Sequence, residues 1–330
     1  MNDWDCSMAK FKVFVTRRLP IALDRLYQIA DVEVWLKRQP PPDDVLLEKI
    51  GAIDGLLCLL TDRIDRHLIE AGTSLKVISQ MAVGYDNIDI STATARQLPV
   101  GHTPDVLTDA TADFAWTLLM AAARRVVEAD RFVRAGEWQT WEPDLLLGAN
   151  IAGATLGIVG LGRIGQAVAR RAKGFDMRIL YADRQRSQIE DSLGAECVTF
   201  DRLLQESDFV TIHAPLTEDT DRLFSHSQFQ CMKRSAILIN TARGQIVDSE
   251  ALYQALKERQ IAAAALDVTD PEPIPPQSLL LTLDNLIITP HIASAGRPTR
   301  EKMASMAIAN LVAGLRGDRL PHCVNPEVYQ

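Results

Sequence analysis

A chain of 330 residues, 47% hydrophobic and 24% charged, has enough apolar material for two domains that each bury a core. A net charge of −8 argues against a nucleic-acid partner or an acidic membrane surface. No uninterrupted apolar stretch reaches the length of a membrane span, and the acidic start Met1-Asn2-Asp3-Trp4-Asp5 has no apolar signal-peptide core. The cysteines (Cys6, Cys58, Cys197, Cys231 and Cys323) are scattered and form no C-x-x-C pair. They read as reduced thiols of a cytoplasmic protein, with no zinc or other metal site.

In chain order, 12–16, 32–35, 55–60 and 76–79 read as short strands, with helices over 21–30, 43–50 and 63–71 between them. That alternation predicts a parallel sheet with helices on its faces. Val100-Gly101-His102-Thr103-Pro104 breaks the rhythm and predicts a boundary. A long helix is predicted over 108–125, with Phe114, Leu118 and Ala122 among its apolar positions, and a second over 127–135. The irregular segment 136–143 carries Trp138 and Trp141, whose exposure in a monomer would be a liability; it predicts an arm or interface. From Thr155 the rhythm resumes. Strands are predicted at 155–159, 177–181, 208–212, 236–240, 262–267 and 286–289, and helices at 163–173, 201–206, 248–259 and 298–315. Six strands are the number of a full dinucleotide-binding fold.

The stretch 155–183 is strand, glycine-rich turn, helix, strand, acid. In Gly160-Leu161-Gly162-Arg163-Ile164-Gly165 the first glycine permits a tight turn, the second lets backbone approach a pyrophosphate, and the third lets the helix pack on the strand. The helix N-terminus offers N–H groups and partial positive charge to phosphates. Gly174 is a natural helix stop. Asp183 lies near the spacing expected of an acid that bonds the adenosine ribose. Its carboxylate would repel a 2′-phosphate, whereas Arg184 and Arg186 suit one. The expectation is NAD, with measurable use of NADP.

Three more segments follow predicted strands: Asn240-Thr241-Ala242-Arg243-Gly244, 267–273 and Pro290-His291-Ile292-Ala293-Ser294. They supply a guanidinium (Arg243), a carboxylate (Glu272) and an imidazole (His291) at strand ends, where ligands of such folds bind. A 2-keto acid reductase needs these groups. A guanidinium grips a carboxylate and polarises a carbonyl. An imidazolium donates a proton, and a carboxylate bonded to it favours its charged form. His213, after another strand, is expected to line the cofactor groove through backbone.

With these blocks in place, the chain resembles the D-isomer-specific 2-hydroxyacid dehydrogenases, most closely their glyoxylate/hydroxypyruvate reductase (D-glycerate dehydrogenase) branch. Residues 157–166, 240–244, 264–273 and 290–295 carry the resemblance. It implies an α/β chain of two doubly wound parallel-sheet domains, a Rossmann cofactor domain over 104–293 inserted into a flavodoxin-like substrate domain formed by 1–103 and 294–330, with the active site in the cleft between them. It implies a dimerisation arm over 108–150 and a homodimer. It implies His291 as acid/base, Glu272 as its partner and Arg243 as the group that orients substrate. Asp267 would hold the nicotinamide carboxamide. Substrate would meet Leu59, Val83, Gly84, Arg243, His291, Ser294 and a partner's Trp141. Cofactor contacts would further include Thr108, Leu161, Arg163, Ile164, Ala214, Pro215, Thr220, Thr241, Ala242 and Ala293. The reaction implied is NAD(P)H-dependent reduction of hydroxypyruvate or glyoxylate. The alternatives are 3-phosphoglycerate or D-lactate dehydrogenation, or a dinucleotide-sensing corepressor-like protein.

Overall fold

A computed structural model describes residues 10–330; Cys6 and the acidic start lie outside the described residues. The chain divides into two units, Met1–Leu107 with Gly296–Gln330, and Thr108–Ala295.

In the first unit, strands β1 (Phe11–Val15), β2 (Ala30–Val34), β3 (Gly55–Cys58), β4 (Val77–Gln80) and β5 (Val100–Gly101) alternate with helices α1 (Asp24–Tyr27), α2 (Asp43–Ile50), α3 (Arg66–Ala71) and α4 (Ile90–Ala95). The sheet is parallel, in the order β2-β1-β3-β4-β5. Every residue of β3 and β4 is buried, because helices cover both faces of a parallel sheet. One cover is the helix Arg297–Arg316, which packs on β3 and β4 through Met303, Ala304, Ala307, Ile308, Leu311 and Leu315, a stripe at helical spacing.

In the second unit, α5 (Thr108–Ala123) and α6 (Val126–Arg134) precede β6 (Thr155–Val159), α7 (Arg163–Ala172), β7 (Arg178–Ala182), α8 (Glu190–Leu193), β8 (Ala195–Cys197), α9 (Phe200–Glu206), β9 (Phe209–Ile212), α10 (His226–Cys231), β10 (Ile237–Asn240), α11 (Ser249–Lys257), β11 (Ala263–Leu266) and β12 (Leu286–Ile288). The parallel sheet runs β12-β11-β10-β9-β6-β7-β8. Alanines on α5 and α7 let these helices pack close together beneath it. Trp116 stacks on Phe175 at 4.9 Å, and its indole N–H donates to the Val168 carbonyl at 3.1 Å.

The fold class is the predicted one, two parallel-sheet α/β units, but several local expectations need correction. Val100 and Gly101 do not end the sheet; they form its fifth strand, with Val100 fully buried. The helix expected over 21–30 is one turn, since Ala30 is taken into β2 opposite Phe11. The second sheet has seven strands, not six, because Ala195–Cys197 pairs with β7 as a short edge. Short helices α4, α8 and α10 also escaped the sequence pattern. Gly174 does not stop α7; a 3-10 turn Lys173–Phe175 follows, and Asp176 takes the left-handed position at φ 52°. Among the described residues, no helix is long and apolar enough to cross a membrane.

Candidate active site

All neighbouring strands of the second unit are parallel, so their carboxyl ends share one edge of the sheet. The chain winds outward in both directions from the adjacent β6 and β9, and ligands of open α/β sheets bind at that reversal.

The glycine turn lies there. Gly160 has φ +90°, a conformation L side chains rarely adopt, and a Cβ on it would stand 2.7 Å from the Ala214 nitrogen. A Cβ on Gly165 would meet the Gly160 carbonyl oxygen at 2.2 Å, so α7 seats directly on the turn. Gly162 is different: it is exposed, and a Cβ there would have no atom within 4 Å. It precedes the first helical residues, Arg163 and Ile164, and no side chain caps this helix start. Asp183, at the end of β7, ties the turn down. Its Oδ2 accepts the Leu161 N–H at 2.8 Å and its Oδ1 the Arg184 N–H at 2.7 Å. Arg184 is exposed, and Arg186 is paired with Glu190.

After β9, His213 places Nε2 2.9 Å from the Thr211 hydroxyl, and burial pushes its imidazole down to about 3, so the ring is neutral at physiological pH. Ala214 and Pro215 follow. The Thr220 hydroxyl donates to the Pro215 carbonyl and accepts the Thr217 N–H, each at 2.7 Å, which closes that turn. Thr108 is the first residue of α5.

Three loops at the ends of β10, β11 and β12 carry the predicted chemical groups. Asn240 shapes the first: its amide donates to the Arg243 carbonyl at 2.8 Å and accepts the Ala242 N–H at 2.9 Å. Gly244 lets this loop touch the next, since a Cβ on it would be 2.1 Å from the Thr269 carbonyl. Asp267, 1% exposed, grips the third loop. Its carboxylate accepts the Thr289 hydroxyl at 2.6 Å, the Ile292 N–H at 2.8 Å and the Ala293 N–H at 2.7 Å, while its carbonyl accepts the His291 N–H at 2.9 Å. These bonds hold His291 at φ 55°, which costs about 1 kcal/mol for a residue with a Cβ. The result is a contact between separate loops: His291 Nδ1 lies 2.7 Å from Glu272 Oε1. Arg243 is half-buried and donates to the Ala242 carbonyl at 2.9 Å. Ser294 is half-buried and Ala293 buried. Asn240 and Thr289 were not among the sequence-predicted residues. An asparagine two residues before a turn was a usable signal for the first; nothing local marked the second.

Thr241 is buried, and its hydroxyl has no hydrogen-bond partner. This orphan, the open face of Gly162 and the uncapped start of α7 fit a bound dinucleotide.

The remaining predicted residues belong to other segments of the chain. In the first unit, Leu59 follows β3, and Val83 and Gly84 form a turn after β4. Gln80 and Asn87 make a reciprocal amide pair at 2.8 and 2.9 Å, from which Gln80 reaches the Gly84 carbonyl at 2.5 Å and Asn87 the Leu59 carbonyl at 3.2 Å. Trp141, in the second unit, is 79% exposed and takes no part in the bonds that join the site loops.

Residues 116–293 match the family model described as "D-isomer specific 2-hydroxyacid dehydrogenase, NAD binding domain". The chain belongs to this family. Its second unit is therefore an NAD-binding domain, and the protein an oxidoreductase of the D-2-hydroxyacid dehydrogenase class. A glyoxylate reductase of Korarchaeum cryptofilum is 52% identical over 97% of this chain and 98% of its own length. A solved protein of Thermus thermophilus superposes with a TM-score of 0.90 at 48% identity, covering 95% of this chain and 99% of its own. An NADPH-dependent glyoxylate/hydroxypyruvate reductase of Sinorhizobium meliloti, solved with NADP and malonate, gives a TM-score of 0.83 at 30% identity, covering 97% and 98%.

Proposed function

We propose that this protein reduces small 2-keto acids, glyoxylate to glycolate and hydroxypyruvate to D-glycerate. The observation that carries the proposal is the hydrogen bond between His291 and Glu272, which lie 19 residues apart on successive loops and 2.7 Å apart in space, at the strand ends of an NAD-binding domain. A bound reduced nicotinamide supplies hydride to the substrate C2.

The chain's own groups do the rest. An ionised carboxylate only accepts hydrogen bonds, so Glu272 accepts one from Nδ1–H and leaves the proton on Nε2 to be given to the developing alkoxide. Arg243 orients the substrate carboxylate and polarises the ketone through fixed N–H donors. Asp267 acts through the backbone, keeping His291 in place. The family role in which Asp267 also holds the carboxamide asks for a further acceptor site on a carboxylate that already takes three bonds. The glyoxylate reductase names among relatives near half identity support the substrate class, and the Sinorhizobium meliloti enzyme supports hydroxypyruvate. Steady-state reduction of both acids with NADH tests the reading, together with chiral analysis of the glycerate.

The reading includes a cytoplasmic homodimer formed through the 108–150 arm. No residue of α6 is buried, although its apolar residues fall on one face. Nearby Trp138, Trp141 and Leu147 are 60%, 79% and 66% exposed. The thiols of Cys58, Cys197, Cys231 and Cys323 are unpaired, which suits a reducing compartment.

A further inference from the structure

The loop after β7 carries two arginines, Arg184 and Arg186, close to Asp183 in sequence, and the second is committed to an ion pair. Asp183 is held by two backbone N–H groups. Arg186, three residues on, donates from Nε to Glu190 Oε1. Glu190 is only 8% exposed, and its other oxygen accepts the hydroxyl of Tyr181. Tyr181 is fully buried in β7 and accepts the Ser187 N–H at 2.9 Å. The network thus binds the start, middle and end of one loop. The Tyr181 hydroxyl first, and then the Arg186 guanidinium, hold the Glu190 carboxyl below its usual range, so the acid stays charged at neutral pH. From Asp183 to Asp191 the chain has three acids (Asp183, Glu190, Asp191) and two arginines (Arg184, Arg186), a net charge of −1.

We propose that Glu190 is a positioning residue for cofactor discrimination: it sequesters Arg186 in an ion pair and so withholds from a 2′-phosphate the guanidinium that would grip it. A guanidinium is the side chain best matched to phosphate, and Arg186 lies three residues from the acid that faces the ribose in the proposed reading. With Glu190 neutral, the loop gains one positive charge and a released arginine. With Glu190 charged, the loop offers a 2′-phosphate a net negative field, and NADH is preferred. The inference rests on the reading in which the adenosine ribose lies at Asp183.

The test is dinucleotide affinity without substrate. Kd values for NADH and NADPH are measured at fixed salt by quenching of intrinsic fluorescence, for wild type, Arg186→Ala, Glu190→Gln and the double variant. The wild type should bind NADH more tightly than NADPH. Glu190→Gln should lower the ratio Kd(NADPH)/Kd(NADH) by about fivefold, the scale of one exposed ion pair, through tighter NADPH binding. The double variant should return to the wild-type ratio, and Arg186→Ala alone should leave it within about twofold. An unchanged ratio in Glu190→Gln overturns the proposal. Should that variant not fold, Arg186→Ala decides, because it alters an exposed side chain and leaves Tyr181 and Glu190 together. An unchanged ratio then supports the proposal, and a loss of NADPH affinity of about fivefold overturns it, because Arg186 would already serve the phosphate. A wild type that binds neither dinucleotide overturns the inference together with the reading beneath it. Binding of NADH with no turnover of keto acids would overturn the function alone.

Discussion

Replacing Glu272 with Gln removes one negative charge 2.7 Å from His291 Nδ1 and leaves a neutral acceptor of nearly the same shape. A hydrogen bond to a charged group is worth about 1.5–3 kcal/mol. Here the two side chains are 22% and 32% exposed, so water screens the pair and the lower end applies, about 1.5 kcal/mol. The bond fixes the ring's orientation and the tautomer that leaves Nε2–H for the substrate. At about 1.4 kcal/mol per tenfold change in rate, its loss should lower kcat/KM for glyoxylate reduction by about tenfold. NADH affinity should stay within about twofold, because the change touches no residue of the glycine turn. The assay is initial rate at saturating dinucleotide beside a fluorescence titration of NADH. A variant with wild-type kcat/KM would refute the pairing as what readies the histidine. So would a loss confined to NADH affinity.

The glycines separate folding from binding. Gly162→Ala meets no protein atom, so the melting temperature should hold while NADH affinity falls by about tenfold or more; equal affinity would mean the pyrophosphate does not approach this turn. Gly165→Ala drives a methyl into the Gly160 carbonyl and should destabilise the second unit by about 1–3 kcal/mol, read by urea unfolding. Burial is the largest influence on Asp62 and raises its carboxyl above the usual range, so between the unfolded and folded values the folded chain binds more protons. The stability this contributes is present in acid and lost as pH rises through the folded value. Asp62→Asn should therefore raise the melting temperature at neutral pH by roughly 2 °C, an advantage that shrinks toward pH 4; a lower melting temperature would contradict the argument. Light scattering should find the proposed dimer in wild type and a weaker one in Trp141→Ala, and a monomeric wild type would end the arm proposal.

The glycine turn was legible because its parts are contiguous and each has a local reason. The chemical groups were legible for a related reason. Arg243, Glu272 and His291 each follow a strand, and a parallel sheet gathers strand ends on one edge. Short pieces were not legible. Val100–Gly101 and Ala195–Cys197 hold too few residues to show a period and become strands only through pairing with β4 and β7. Nor could sequence show what the acids grip. Asp183 spends both oxygens on the loop it closes, and Asp267 reaches the His291 loop through the Ile292 and Ala293 N–H groups. Those contacts depend on where two strand ends stop, which no local pattern encodes. The same holds for Glu190, an acid with no distinguishing context in sequence that the fold places against the hydroxyl of Tyr181.

The central claim is that His291 gives the proton while the dinucleotide is held elsewhere on the same edge. The most direct measurement compares wild type and His291→Ala for NADH affinity, by fluorescence titration, and for glyoxylate and hydroxypyruvate reduction, by initial rate. The account predicts wild-type turnover of both acids with D-glycerate as the product of the second. It predicts a variant whose NADH affinity stays within about twofold while kcat falls by about a hundredfold or more, the scale of general acid catalysis. A variant that reduces either acid at the wild-type rate would contradict it.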